Sequence, residues 1–168
     1  MTKKLDDGHD EQRRMPAMFF YGTLINEHIL RRVIGRTSAA SLLTQDAQLH
    51  GYCRLKLRHA HYPALVPVSV AQVALNRAPT LAEQTVTGKL VSGLTASEVT
   101  LLDAFEGEEY KSHTAFVNLM DPNSPPAEAV VYFYAPPIVS QNILPSLWSY
   151  DEFVHNHLAQ WVADPNNF

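Results

Sequence analysis

A chain of 168 residues with 46% apolar content is long enough to bury a sizeable core and suits one domain. A formal charge of -4, with no long Lys or Arg run beyond the first few residues, argues against nucleic acid or anionic membrane as the main partner and leaves small molecules or proteins. One cysteine, Cys53, excludes an intramolecular disulfide framework and fits a reducing compartment; no apolar run has the length of a signal-peptide core or a bilayer span, so a soluble, cytoplasmic protein is expected.

Residues 1–15 lack apolar periodicity and contain Asp6-Asp7-Gly8, which predicts a mobile tail, and residues 16–168 are expected to form a single domain. Ala17-Met18-Phe19-Phe20-Tyr21 is short, aromatic and uninterrupted, as in a central strand buried on both faces, and Gly22-Thr23 breaks it. Ile25, Ile29, Leu30, Val33 and Ile34 then follow helical spacing, with Asn26 as N-cap and Gly35 as stop. Such a strand-Gly-helix junction turns consecutive backbone N–H groups into one concavity, where they can hold a carboxylate or a developing oxyanion.

From Ala47 to Arg58 apolar and polar residues alternate, which predicts one half-buried strand with Cys53 on its apolar phase as an inert buried thiol. His59-Ala60-His61 puts two imidazoles on one face of an extended segment, but no third or fourth ligand lies nearby, so satisfied or exposed histidines are expected there rather than zinc. Tyr62-Pro63-Ala64-Leu65-Val66-Pro67 reads as a rigid extended loop. Val68 to Leu75 reads as a strand, Asn76 to Gln84 as an exposed loop, and Thr85 to Ser92 as a strand in which Gly88 permits close backbone approach.

Leu94-Thr95-Ala96-Ser97-Glu98-Val99 has the form of a capping box inside a hydrophobic staple, so a helix starts near Ala96. Val99, Leu102 and Phe105 mark its buried face, and Glu106 falls in the last turn, just before Gly107. Unpaired carbonyls and the negative end of the helix dipole both oppose ionisation there, which raises the proton affinity of the carboxyl toward that of a general acid/base. On spacing alone Glu106 is either such a group or a solvated helix-end residue. Glu108 and Glu109 read as solvated acids. His113 to Met120 and Ala127 to Tyr134 are strands of a mostly antiparallel sheet, with Tyr132 and Tyr134 in phase on one face. Ala135 to Leu147 reads as irregular, and a terminal helix follows, capped by Ser149 and Glu152, with Trp148 and Phe153 as staple.

Tyr21-Gly22-Thr23-Leu24 after a short aromatic strand, then Leu102-Asp103-Ala104-Phe105-Glu106-Gly107 and Tyr110 far downstream, resembles the gamma-glutamylcyclotransferase family, and within it the AIG2-like branch. The likeness spans roughly residues 18–162, with Gly51-Tyr52, Tyr62-Pro63-Ala64 and the closing Trp-containing helix in the expected order. It implies an α+β fold: a mixed, largely antiparallel β-barrel with flanking helices. It also implies intramolecular aminolysis without cofactor or metal, in which the α-amino group of a γ-glutamyl unit attacks its own γ-carbonyl and releases 5-oxoproline and an amine.

Carried onto this chain, the resemblance makes Glu106 the catalytic carboxylate and Tyr21, Gly22, Thr23 and Leu24 the backbone cradle for substrate. Tyr110 is either a cavity residue bonding Glu106 or substrate, or a satisfied core tyrosine; Tyr132 is a further substrate-binding candidate. Many relatives place an arginine two residues after the tyrosine, where this chain has Ser112, with Lys111 beside it, so an ion pair is expected to be missing. Two other readings of the same scaffold are a biosynthetic tailoring enzyme using Glu106 for isomerisation or cyclisation, and a non-catalytic small-molecule binding or interaction protein.

Overall fold

The computed structural model describes residues 15–36, 42–135 and 139–168, so nearly all of the expected tail lies outside the described residues. Five strands close a barrel: β1 (Met18–Phe20), β2 (Leu43–His50), β5 (Thr85–Ser92), β6 (Tyr110–Leu119) and β7 (Ala127–Tyr134), in the order β1-β5-β2-β6-β7. β1 pairs antiparallel with β5 and parallel with β7, through Met18 and Val130, and that parallel seam makes an otherwise antiparallel barrel mixed. All three β1 residues are buried, as an uninterrupted aromatic run requires. Gly88 is where β5 meets this strand: a Cβ there would stand 2.2 Å from the Phe20 carbonyl oxygen.

A second sheet, in the order β4-β3-β8, packs beside the barrel, formed by β3 (Tyr52–Leu57), β4 (Ala60–Pro67) and β8 (Ile143–Leu147). Its existence corrects three expectations. The alternating stretch from Ala47 is two strands rather than one, because Gly51 at φ 86 turns the chain from barrel to second sheet without disturbing the alternation. The proline-bracketed stretch is a strand, and it tolerates Pro63 and Pro67 because β4 is an edge. Part of the supposedly irregular stretch is ordered as α4 (Val139–Asn142) and β8; residues 136–138 lie outside the described residues.

Helices flank the sheets: α1 (Glu27–Ile34), α2 (Val68–Leu75), α3 (Ala96–Glu106), α5 (Tyr150–Asn156) and α6 (Leu158–Ala163). α2 replaces the strand expected over these residues. Its β-branched content argued for extension, but Val68, Ala71 and Leu75 face the core at helical spacing while Val73 stands exposed, so packing overrides propensity. The single terminal helix expected is broken into α5 and α6 at His157, where φ is -131°. Among the described residues no helix is long and apolar enough to cross a membrane.

Candidate active site

The end of β1 sets one wall of the site. After Phe20 the chain passes through Gly22 into a 3-10 turn, Thr23–Ile25, in which Ile25 N–H bonds the Gly22 carbonyl at 3.1 Å and Asn26 N–H bonds the Thr23 carbonyl at 3.1 Å. The N–H groups of Gly22, Thr23 and Leu24 therefore precede the ladder, as the first donors of any helical turn do. Asn26 then caps α1 by accepting from His28 and Ile29 N–H. Gly22 is tightly packed: a Cβ there would lie 3.0 Å from Pro63 Cδ on β4, closer than an ordinary contact, so any side chain requires the proline to give way. The Arg54 guanidinium reaches from β3 to hold the Tyr21 carbonyl at 2.8 Å and lies 5.3 Å from the Trp148 ring centroid; burial lowers its pKa to about 10, so it stays charged at neutrality.

α3 sets the opposite wall. Thr95 accepts from Glu98 N–H at 3.2 Å and Glu98 accepts from Thr95 N–H at 2.9 Å, so the expected capping box fixes where the helix begins. Leu102 is fully buried and Phe105 packs edge-on against Trp161. That rotation leaves half-buried Glu106 facing inward at the last turn, closed by Gly107 at φ 70.

Between these walls lies a cavity of about 550 Å³. All the residues singled out by sequence meet there: Tyr21, Gly22, Thr23, Leu24, Tyr110, Tyr132 and Glu106. Glu106 is pushed up to about 8, first by burial and then by the negative charge of Asp103. Burial, rather than the helix end invoked from sequence, is the main cause. Among the described residues no side chain hydrogen-bonds or ion-pairs with it, and the cavity lining contains no Lys or Arg.

The phenols are more committed than the sequence indicated. Tyr110 donates to the Pro63 carbonyl at 2.6 Å, Tyr132 donates to Asp103 Oδ1 at 2.6 Å, and Tyr21 donates to the Tyr132 carbonyl. Burial raises all three pKa values well above the ordinary tyrosine value. Their rings line the cavity while their hydroxyls brace its walls. Tyr110 thus bonds backbone rather than Glu106.

Sequence reasoning missed several groups at the rim. Glu109, read as a solvated acid, accepts from Tyr62 at 3.0 Å and pairs with His59 Nε2 at 3.1 Å, tying the turn after α3 to β4. His61 stacks on His157 with centroids 4.1 Å apart, so His59 and His61 have different partners, and among the described residues no group of three or more His, Cys, Asp or Glu could hold a metal. The chain's end supplies a polar edge through Gln160, Asp164, Asn166 and Asn167. No spacing signal marked these residues, whose proximity to Glu106 arises only when α6 folds back.

The family model described as Gamma-glutamyl cyclotransferase, AIG2-like matches residues 18–151. AIG2-like protein D of Arabidopsis thaliana is 25% identical over 154 residues, covering 92% of this chain and 89% of its own. Protein AIG2 C of the same plant is 28% identical over 117 residues, covering 70% of this chain and 60% of its own. A solution structure of an Arabidopsis thaliana protein superposes with a TM-score of 0.57 at 25% identity, covering 88% of this chain and 78% of that one.

Proposed function

This chain belongs to the gamma-glutamyl cyclotransferase, AIG2-like family, and on that premise we propose that it cyclises a γ-glutamyl amide to 5-oxoproline and a free amine, with Glu106 as the proton carrier. The observation that carries this reading is a carboxyl raised to about 8, without a cationic partner among the described residues, in the same cavity as the amides that follow β1. At about 550 Å³ the cavity falls within the usual range for small-molecule sites.

The substrate carries its own nucleophile, so the protein's task is to hold a folded-back conformer and move protons. The N–H groups of Gly22, Thr23 and Leu24 hold the α-carboxylate or the carbonyl oxygen on which negative charge grows. An arriving α-ammonium favours the ionised form of Glu106, which takes one of its protons. The freed amine attacks the γ-carbonyl, the new lactam C–N bond forms, and the original amide C–N bond breaks as Glu106 returns the proton to the departing nitrogen. The ring nitrogen's remaining surplus proton also passes to the amine, which leaves as an ammonium, so charge is conserved and no water is consumed. Tyr110 and Tyr132 shape the pocket around the glutamyl chain.

The test is a panel of γ-glutamyl amines, amino acids and peptides offered to purified protein, with release of 5-oxoproline followed by chromatography. Turnover of at least one member, abolished in Glu106→Gln, is the expected result. No release from any member, with ligands still bound, would instead favour the binding reading of the same cavity.

A further inference from the structure

Glu106 stands in a wall shared by two cavities. Behind the inner one is an outer cavity of about 430 Å³ that opens more widely to solvent and is lined by Asp103, Lys111, Ser112 and His113. The two meet at Glu106, Tyr110 and Tyr132. Asp103 lies one helical turn before Glu106, the spacing at which side chains on a helix are neighbours.

An exposed aspartate on a helix would ordinarily move among rotamers under water. Asp103 is held instead: the hydroxyl of buried Tyr132 donates to its Oδ1 at 2.6 Å, and the Tyr132 backbone is braced in turn by the Tyr21 phenol. Among the described residues no Lys or Arg forms an ion pair with Asp103, although Lys111 lines the same outer cavity.

We propose that Asp103 is a positioning residue for the proton carrier: pinned by Tyr132, its carboxylate presents a fixed negative charge to Glu106 from the outer side of the wall. The inference rests on reading Glu106 as the group that moves protons. Burial contributes most to the raised proton affinity of Glu106, and the Asp103 charge adds to it. The other titratable groups facing Glu106 are phenols: Tyr21 from the residue just after β1, Tyr62 from β4, Tyr110 from β6 and Tyr132 from β7. Each is shifted upward and so remains neutral where Glu106 titrates. His59, His61 and Asp164 lie around the inner cavity, and Lys111 and His113 around the outer one. A pinned Asp103 makes Glu106 a stronger base once ionised.

The experiment follows the side-chain carboxyl resonances of protein labelled with ¹³C-glutamate across a pH titration, with the Glu106 signal assigned by its loss in Glu106→Gln. Asp103→Asn is expected to lower the Glu106 midpoint by roughly one pH unit, while Asp103→Glu, which keeps the charge, restores most of the difference. Tyr132→Phe keeps the charge but releases the pin, so its midpoint should fall by less than that of Asp103→Asn. An unchanged midpoint in Asp103→Asn, or an equal fall in Asp103→Glu, overturns the proposal. The rising limb of kcat/KM against pH should move to lower pH in Asp103→Asn. If no γ-glutamyl compound is turned over, the cyclotransfer reading fails while the titration still decides the role of Asp103.

Discussion

Two glutamates on one helix receive opposite treatment. Glu98, at the start of α3, is 7% exposed. Burial pushes its carboxyl up, but bonds from Arg36, with Nε at 2.8 Å, and from Thr95 N–H outweigh that and hold it below its ordinary value. Glu106, at the end of the same helix, is also sheltered but has no such donors among the described residues, and it rises to about 8. Surroundings rather than residue type separate a carboxylate held ionised from a carboxyl that keeps its proton to higher pH. The first secures where the helix begins and thereby fixes where the second points.

The contrast is broken most severely at the Glu106 end of α3. Glu106→Gln keeps the shape but cannot carry a proton, so turnover of a γ-glutamyl substrate should fall about 10²–10⁴-fold while ligand binding persists, measured by 5-oxoproline release and calorimetry. The same substitution should leave a thermodynamic mark. Because the Glu106 carboxyl is raised from its ordinary 4.5 to about 8, the unfolded chain releases this proton first as pH rises, and the folded state loses stability across that window. The loss should amount to a few kcal/mol, on the order of 1.4 kcal/mol for each pH unit separating the two states' midpoints. Denaturation of parent and Glu106→Gln at pH 5 and pH 9 should therefore give similar stabilities at the lower pH and a more stable variant at the higher one. Equal pH dependence in both proteins would show that Glu106 is not buried as a neutral acid.

At the structural end the effect falls on folding. Glu98→Ala removes the reciprocal half of the capping box and strips Arg36 of a buried carboxylate, which should cost about 2–4 kcal/mol in urea denaturation, with turnover retained by the folded fraction. Thr95→Ala removes only the N-cap acceptor and should cost about 1 kcal/mol in the same assay. If Thr95→Ala proved more damaging than Glu98→Ala, the ion pair with Arg36 would contribute little and the comparison between the two glutamates would rest on capping alone.

What could be seen in the sequence was local. The capping box around Glu98, the aromatic run into Gly22 and the position of Glu106 before Gly107 all follow from residues within one or two turns of one another, and the structure reproduces them. Where several interpretations shared one pattern, the sequence misled: alternation runs unbroken through Gly51 although the chain changes sheet there, and the Val-rich stretch from Val68 favours extension until Ala71 must be buried. Contacts between distant segments left no mark. Asp103 meets Tyr132 across 29 residues and Arg54 meets the Tyr21 carbonyl across 33, and neither partner could be named without the fold. Glu109 looked like one more acid in a turn until Tyr62 and His59 came within reach.

The parallel seam between β1 and β7 is made by a strand only three residues long, and the same three residues lead directly into the amide turn. A tear at that seam would unfasten the barrel and misplace the donors in one event, so fraying at β1 cannot be silent. Amide hydrogen exchange at Phe19 and Phe20 should then track loss of the proposed turnover along a denaturant series, whereas exchange on the edge strand β8, which lines neither cavity, has no such obligation.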